Sequence, residues 1–272
     1  MTTDTTTISA VDNPALVNQL TEKALKSVPQ EAVREESPIK PPSDPQVTLL
    51  AGLQVPFGEF ISTAEVRELT GADEEAIARI SDISKGLMTI LERAVVKLND
   101  SPVDRDLLDT MLAGDRELLL LEIRKLTFGS EVAIEGQICS KCEDTKSITI
   151  DLDKDVPMKK LENDPVFTVK CKIGDVKVKL PNGVVQKQLV TATNKTAPEL
   201  DSIVLKSCVL EINGNPILDS STVLKMSVSD RRAILNAISE RNPGPQLQQI
   251  KKECPTCGQE VSLPLTLADL FQ

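Results

Sequence analysis

Histidine, tryptophan and tyrosine are missing from this 272-residue chain, and phenylalanine occurs only five times. The absence of His removes the commonest general acid/base and the usual nitrogen ligand of metals, which excludes Ser-His and Cys-His catalysis. Without large aromatics, buried volume has to come from Leu, Ile and Val, and aromatic recognition surfaces are not expected. No apolar run approaches the roughly 20 residues needed to cross a bilayer. The first residues are polar and Thr-rich rather than basic and then apolar, so the chain reads as soluble and unexported. Basic charge is also in short supply. A formal net charge of −10 repels phosphates and anionic headgroups, so neither nucleic acid nor membrane is an expected partner.

What is present is an ordinary globular share of apolar residues, 40%, enough for one sizeable domain or two small ones. Residues 1–46 are rich in Thr, Ser, Pro and Glu and read as a disordered arm, with one apolar patch, Ala15 to Leu25, able to form a short amphipathic helix. Residues 47–130 read as a mainly helical domain. It opens on a short strand and turn, Val47 to Val55 before Pro56 and Gly58. Helical periodicity follows over Asp73 to Ile80 and Ile83 to Leu98, the latter with a stripe of Leu87, Ile90, Leu91, Ala94, Val95 and Leu98. Gly114 to Leu126 is the strongest helix in the sequence.

Beyond Gly129 the period changes to two. Val132, Ile134 and Ile138 lead into C-S-K-C, and Ile148, Ile150 and Leu152 lead out. A hairpin is expected over Phe167 to Ile173 and Val176 to Leu180, a further strand over Val184 to Val190, and helices over Pro198 to Leu210 and Val228 to Ile238. A second Cys turn, C-P-T-C-G, lies between Leu247 to Ile250 and Val261 to Leu265. No internal repeat is legible beyond these two Cys turns. The fold class is α+β: a helical amino-terminal half and a β-rich carboxy-terminal half carrying a discontinuous four-cysteine, zinc-ribbon-like knuckle pair.

Cys139, Cys142, Cys254 and Cys257 form two C-x-x-C pairs. A two-residue spacer lets both sulfurs of a tight turn face one ion, and four thiolates match the tetrahedral preference of zinc. Both pairs sit in hairpin turns rather than at the start of a helix, which separates them from thioredoxin-like redox motifs. Four thiolates also leave no open position for water, so the expected role of Zn2+ is structural and no catalytic or other cofactor-binding residue is assigned. The pairs stand about 110 residues apart, where a compact four-cysteine finger uses roughly 15 to 20. Residues 131–153 and 242–272 are therefore read as the knuckle module, with 154–241 as an inserted α/β subdomain. Cys171 and Cys208 lie in apolar patterns and read as small core residues. Asp151, Asp153 and Asp155 read as a solvated strand edge, since no calcium-loop pattern accompanies them. Asp115 and Arg116 are expected to fix the start of the long helix by capping.

The helix GDRELLLLEIRKLTFG, C-S-K-C, the β-rich segment, C-P-T-C-G and the terminal L-A-D-L-F resemble, in this order, the baseplate hub assembly family of contractile-tailed (T-even-like) bacteriophages over about Val47 to Gln272. The resemblance implies a non-enzymatic tail protein, a baseplate hub component or assembly factor that docks onto other phage tail and baseplate hub proteins. It implies a place in the virion or in the host cytoplasm during assembly, and no small-molecule substrate. The V-K-V-K-L strand matches no motif of that family. The competing readings are a zinc-ribbon adaptor in transcription or replication, to which Lys251 and Lys252 beside the second knuckle offer little basic surface, and a thiol-dependent enzyme, which requires an exposed, metal-free Cys of low pKa.

Overall fold

A computed structural model describes residues 45–55, 58–80, 82–143, 145–192, 194–217, 219 and 221–271. The expected arm and its Ala15 to Leu25 helix lie outside the described residues, apart from 45 and 46.

The amino-terminal half holds both helices and a sheet. Strands β1 (Gln46–Gln54), β2 (Phe60–Val66), β3 (Val95–Leu98) and β4 (Ser101–Pro102) form an antiparallel meander in chain order. Helices α1 (Gly71–Ala78) and α2 (Ile83–Ala94) connect β2 to β3, and α3 (Arg105–Thr110) and α4 (Ala113–Phe128) follow β4. Asp82 caps α2 by accepting the Ser84 and Lys85 N–H groups, and Thr70 with Asp73 forms a capping box at α1. A first core packs Val47, Leu49, Val66, Leu91 and Leu98 against Leu119 of α4.

Helix α4 is buried on most of its faces, with Leu118, Leu119, Leu120 and Leu121 buried in succession and Asp115, Arg116 and Arg124 buried among them, as happens when neighbours cover a helix from several sides. Leu118, Leu119 and Leu120 face the first core, and Leu121 enters another, made with Ile148, Ile150, Leu247, Ile250 and Leu263. That other core lies under the two Cys-bearing hairpins. The first pairs β5 (Glu131–Ile138) with β6 (Thr145–Asp151), and the second pairs β13 (Lys251–Glu253) with β14 (Glu260–Ser262).

Between them lies a second four-stranded meander. Strands β8 (Val166–Cys171), β9 (Gly174–Lys179), β10 (Val209–Ile212) and β11 (Asn215–Pro216) are neighbours in chain order. Helices α5 (Gly183–Thr191) and α6 (Ala197–Cys208) precede β10, and α7 (Thr222–Lys225) and α8 (Val228–Arg241) follow β11. Val176, Val178, Leu205, Cys208 and Ile234 form their core, with Cys171 partly buried against it. Short strands β7 (Met158–Lys159) and β12 (Gly244–Pro245) pair with each other.

The α+β class is observed, with the first half less purely helical than its periodicity suggested. Two expected elements change type. The helix from Ile83 ends at Ala94, and Val95 turns extended, φ −81°, ψ 120°; V-V-K-L then pairs with β2, where Lys97 meets Glu65 at 2.7 Å. Strand pairing overrides a helical period that Val95 and Leu98 also satisfied. Residues 184–190, expected as a strand, are helical: Asn182 accepts the Val185 N–H at 3.3 Å as an N-cap, and Val185 and Leu189, one turn apart, enter the second core.

Candidate metal centre

Each Cys pair sits in the turn of its own hairpin. In the first, Glu143 N–H donates to the Cys139 carbonyl at 2.9 Å, with Glu143 in the left-handed region at φ 53°. In the second, Gly258 N–H donates to the Cys254 carbonyl at 2.9 Å, with φ 68°. These turns aim the following backbone amides at sulfur. N–H groups of Cys142 and Lys141 bring the Cys139 thiol down to about 6, and those of Thr256 and Cys257 lower Cys254. Cys257 receives the Gln259 amide, yet burial and the crowding of Cys139 and Cys254 sulfurs leave it raised. Amide donors favour thiolate over thiol, the form a metal requires.

The two turns meet. Cys139 Sγ lies 3.6 Å from Cys257 Sγ and Cys142 Sγ lies 3.8 Å from Cys254 Sγ, and all four sulfurs fall within 4.8 Å of one another. Cysteine sulfurs bonded to one tetrahedral zinc at about 2.3 Å stand about 3.8 Å apart, so the cluster has the dimensions of a four-thiolate site. No disulfide joins them, since the separations are well beyond the roughly 2.05 Å of an S–S bond. Cys139 and Cys254 are buried, while Cys142 and Cys257 are half-buried. The cluster can hold a metal ion, and Ile150, Ile250 and Leu263 lie in the core of its two hairpins.

Other residues singled out by the sequence fall elsewhere. Cys208 is buried and its thiol is pushed up to about 11 by desolvation; Cys171 is raised by burial and by the nearby Asp230 charge. Asp151, Asp153 and Asp155 are ion-paired rather than merely solvated: Lys154 reaches Asp151, Lys125 reaches Asp153 and Lys252 reaches Asp155, at 2.6 to 2.7 Å. Lys251 is paired with Glu260 at 2.8 Å, so both lysines beside the second knuckle are engaged within the chain.

Asp115 and Arg116 do not cap their own helix, whose N-cap is Leu112. The buried Asp115 carboxylate accepts the Leu50, Ala51 and Gly52 N–H groups at 2.7 to 3.1 Å, fixing the bulged part of β1. The buried Arg116 guanidinium donates to the Leu108 carbonyl at 2.6 Å and to Gln186 Oε1 at 2.8 Å. A D-R dipeptide at the start of a Leu-rich helix was the one signal for these bonds, because a buried charge needs partners that the sequence does not name.

Among the described residues no helix is long and apolar enough to cross a membrane. No curated protein and no solved structure matches the chain. Residues 59–182 match the family model described as T4 bacteriophage base plate protein, a likeness that supports a T4-like phage baseplate protein family.

Proposed function

We propose that the chain is a non-enzymatic component of a phage tail baseplate, a hub constituent or an assembly factor for the hub, acting by docking onto other tail proteins and carrying a structural zinc on Cys139, Cys142, Cys254 and Cys257. The observation that carries the reading is the baseplate family match over residues 59–182. The four-thiolate cluster supports the zinc, since an all-sulfur tetrahedral set of this size suits zinc and gives no vacant position for chemistry. No His is present for acid/base work. The adaptor reading gains nothing from the structure, because Lys251 and Lys252 are already paired with Glu260 and Asp155.

Tagged protein captured gently from its native source, with mass spectrometry of what co-purifies, tests the assignment. Tail, tape-measure or baseplate proteins are the expected partners. Polymerase subunits or nucleic acid in their place would overturn it in favour of a zinc-ribbon adaptor.

A further inference from the structure

The order of elements from β1 to β6 recurs from β8 to β14. In each stretch a hairpin is followed by two helices, a strand, a tight turn into a short strand, a short helix, a long helix and a Cys-bearing hairpin, with β12 and a 3-10 turn, Leu247–Gln249, added before the hairpin in the second. Shared order alone is a loose criterion in an α+β fold. Side-chain bonds at matching positions are a stricter one, because nothing in the secondary structure requires them.

Asn99 and Asn213 both sit in the left-handed region, φ 49° and 51°, at the turn after the third strand. Each folds back onto its hairpin. Asn99 Oδ1 accepts the Thr63 N–H and Asn213 Oδ1 accepts the Asp175 N–H, while the two Asn N–H groups donate to the carbonyls of those same residues. Asp115 and Asp230 occupy the third position of their long helices. Asp115 takes the Leu50, Ala51 and Gly52 amides, and Asp230 takes the Lys172 amide at 2.8 Å with that of Ile173 beside it.

The arginine after each aspartate repeats its contacts too. Arg116 and Arg231 donate through Nη1 to a carbonyl of the preceding short helix, Leu108 and Val223, and through Nη2 to the sixth residue of the second helix, Met88 and Ser202. The cross-strand pair of Lys97 with Glu65 reappears as Glu211 with Lys177, charges exchanged. About 115 residues separate Cys139 from Cys254 and Cys142 from Cys257.

We infer that the chain is a tandem duplication of one unit, residues 46–151 and 166–262, and that the four-cysteine cluster is the clasp between the copies, each of which supplies one Cys-x-x-Cys. The clasp rests on the metal reading given above; the duplication does not. Two thiolates from one copy satisfy half of a tetrahedral site, so the ion is held only where both knuckles meet. The division differs from the expected one, in which residues 154–241 are an insertion within a single ribbon. The metal here joins copy to copy, and the link between them runs through the exposed residues Glu162, Asn163 and Asp164.

A protease site placed at Glu162–Asp164 in the full chain, cut after folding with zinc, tests the clasp by native mass spectrometry. The nicked protein is expected to stay one species with one metal, and chelation is expected to weaken the association of its two pieces at least tenfold. Separation while zinc is bound, unchanged affinity after chelation, or metal following one piece alone would overturn the clasp. Metal analysis of the uncut chain keeps the two ideas apart, since a metal-free native chain sinks the zinc reading and leaves the duplication standing. For the duplication, hydrogen exchange is compared in Asp115→Asn and Asp230→Asn. Faster exchange at residues 50–52 in the first variant and at 172–173 in the second is expected. If either variant leaves its own hairpin unchanged, the equivalence of the two aspartates fails.

Discussion

Cys139 Sγ lies 3.6 Å from Cys257 Sγ although 118 residues separate them. A contact of that sequence separation is entropically expensive to close, and the core of Leu121, Ile150, Ile250 and Leu263 beneath the two hairpins offsets part of the cost. A metal ion on the four sulfurs would add a bond set that the unfolded chain lacks, and its binding free energy would then be folding free energy.

Metal analysis of the native chain is therefore expected to find about one zinc per molecule. Thiol titration at about pH 8 should find no fast-reacting Cys, because the metal shields four, burial pushes Cys208 up to about 11 and burial also raises Cys171. A chelator should then release four reactive thiols. Four fast thiols before chelation would show the cluster to be metal-free.

Arg116 places a guanidinium among the Leu108 carbonyl, Gln186 and Met88, and its 1% side-chain exposure leaves no water to replace a lost bond. Arg116→Lys removes the planar fork, and unfolding in urea should show a loss of about 2 kcal/mol. A variant as stable as the parent would mean that the ammonium finds equivalent partners.

Gly114 and Gly244 let α4 touch β12. A Cβ on Gly114 would come within 1.8 Å of the Pro243 carbonyl oxygen, whereas one on Gly71, at the start of α1, would meet nothing within 4 Å. Gly114→Ala is expected to destabilise by about 2 kcal/mol despite the better helix propensity of Ala. Gly71→Ala should be neutral or slightly stabilising, and equal melting shifts for the two would argue against the close approach.

Asp73 is buried between Arg67 and Arg93, each at 2.6 Å, and Arg67 first of all holds its carboxyl well below the usual carboxylate range. Its folded pKa is depressed, so its contribution is full above the unfolded value of about 4 and fades as pH falls below that toward the folded value. Asp73→Asn should cost about 2 kcal/mol at pH 7, discounted for the partly exposed arginines, and nothing at the acid end. An unchanged acid slope in the variant would contradict this.

Local patterns in the sequence were enough for several elements. The apolar density of Gly114 to Leu126, the C-x-x-C spacings and the Gly174 turn between β8 and β9 each depend on residues within a few positions, and each is found in the structure. The apolar spacing of residues 95–98 and 184–190 fits helix and strand alike, so local pattern does not decide between them. Pairing with β2 decided the first and the Asn182 cap the second.

The recurrence of the whole unit escaped the sequence for a related reason. Its shared residues, among them Asn99 with Asn213 and Asp115 with Asp230, are few and scattered, because a core accepts many apolar substitutions while a side chain bonded to backbone accepts few. The sequence by itself determined the chemistry available: four cysteines in two C-x-x-C turns, no histidine and a formal net charge of −10. The expectation that the two turns share one site also came from their spacings, but only the tertiary structure decided that Asp115 and Arg116 tie down a strand and a neighbouring helix. Those contacts join residues far apart in the chain, and no local pattern records them.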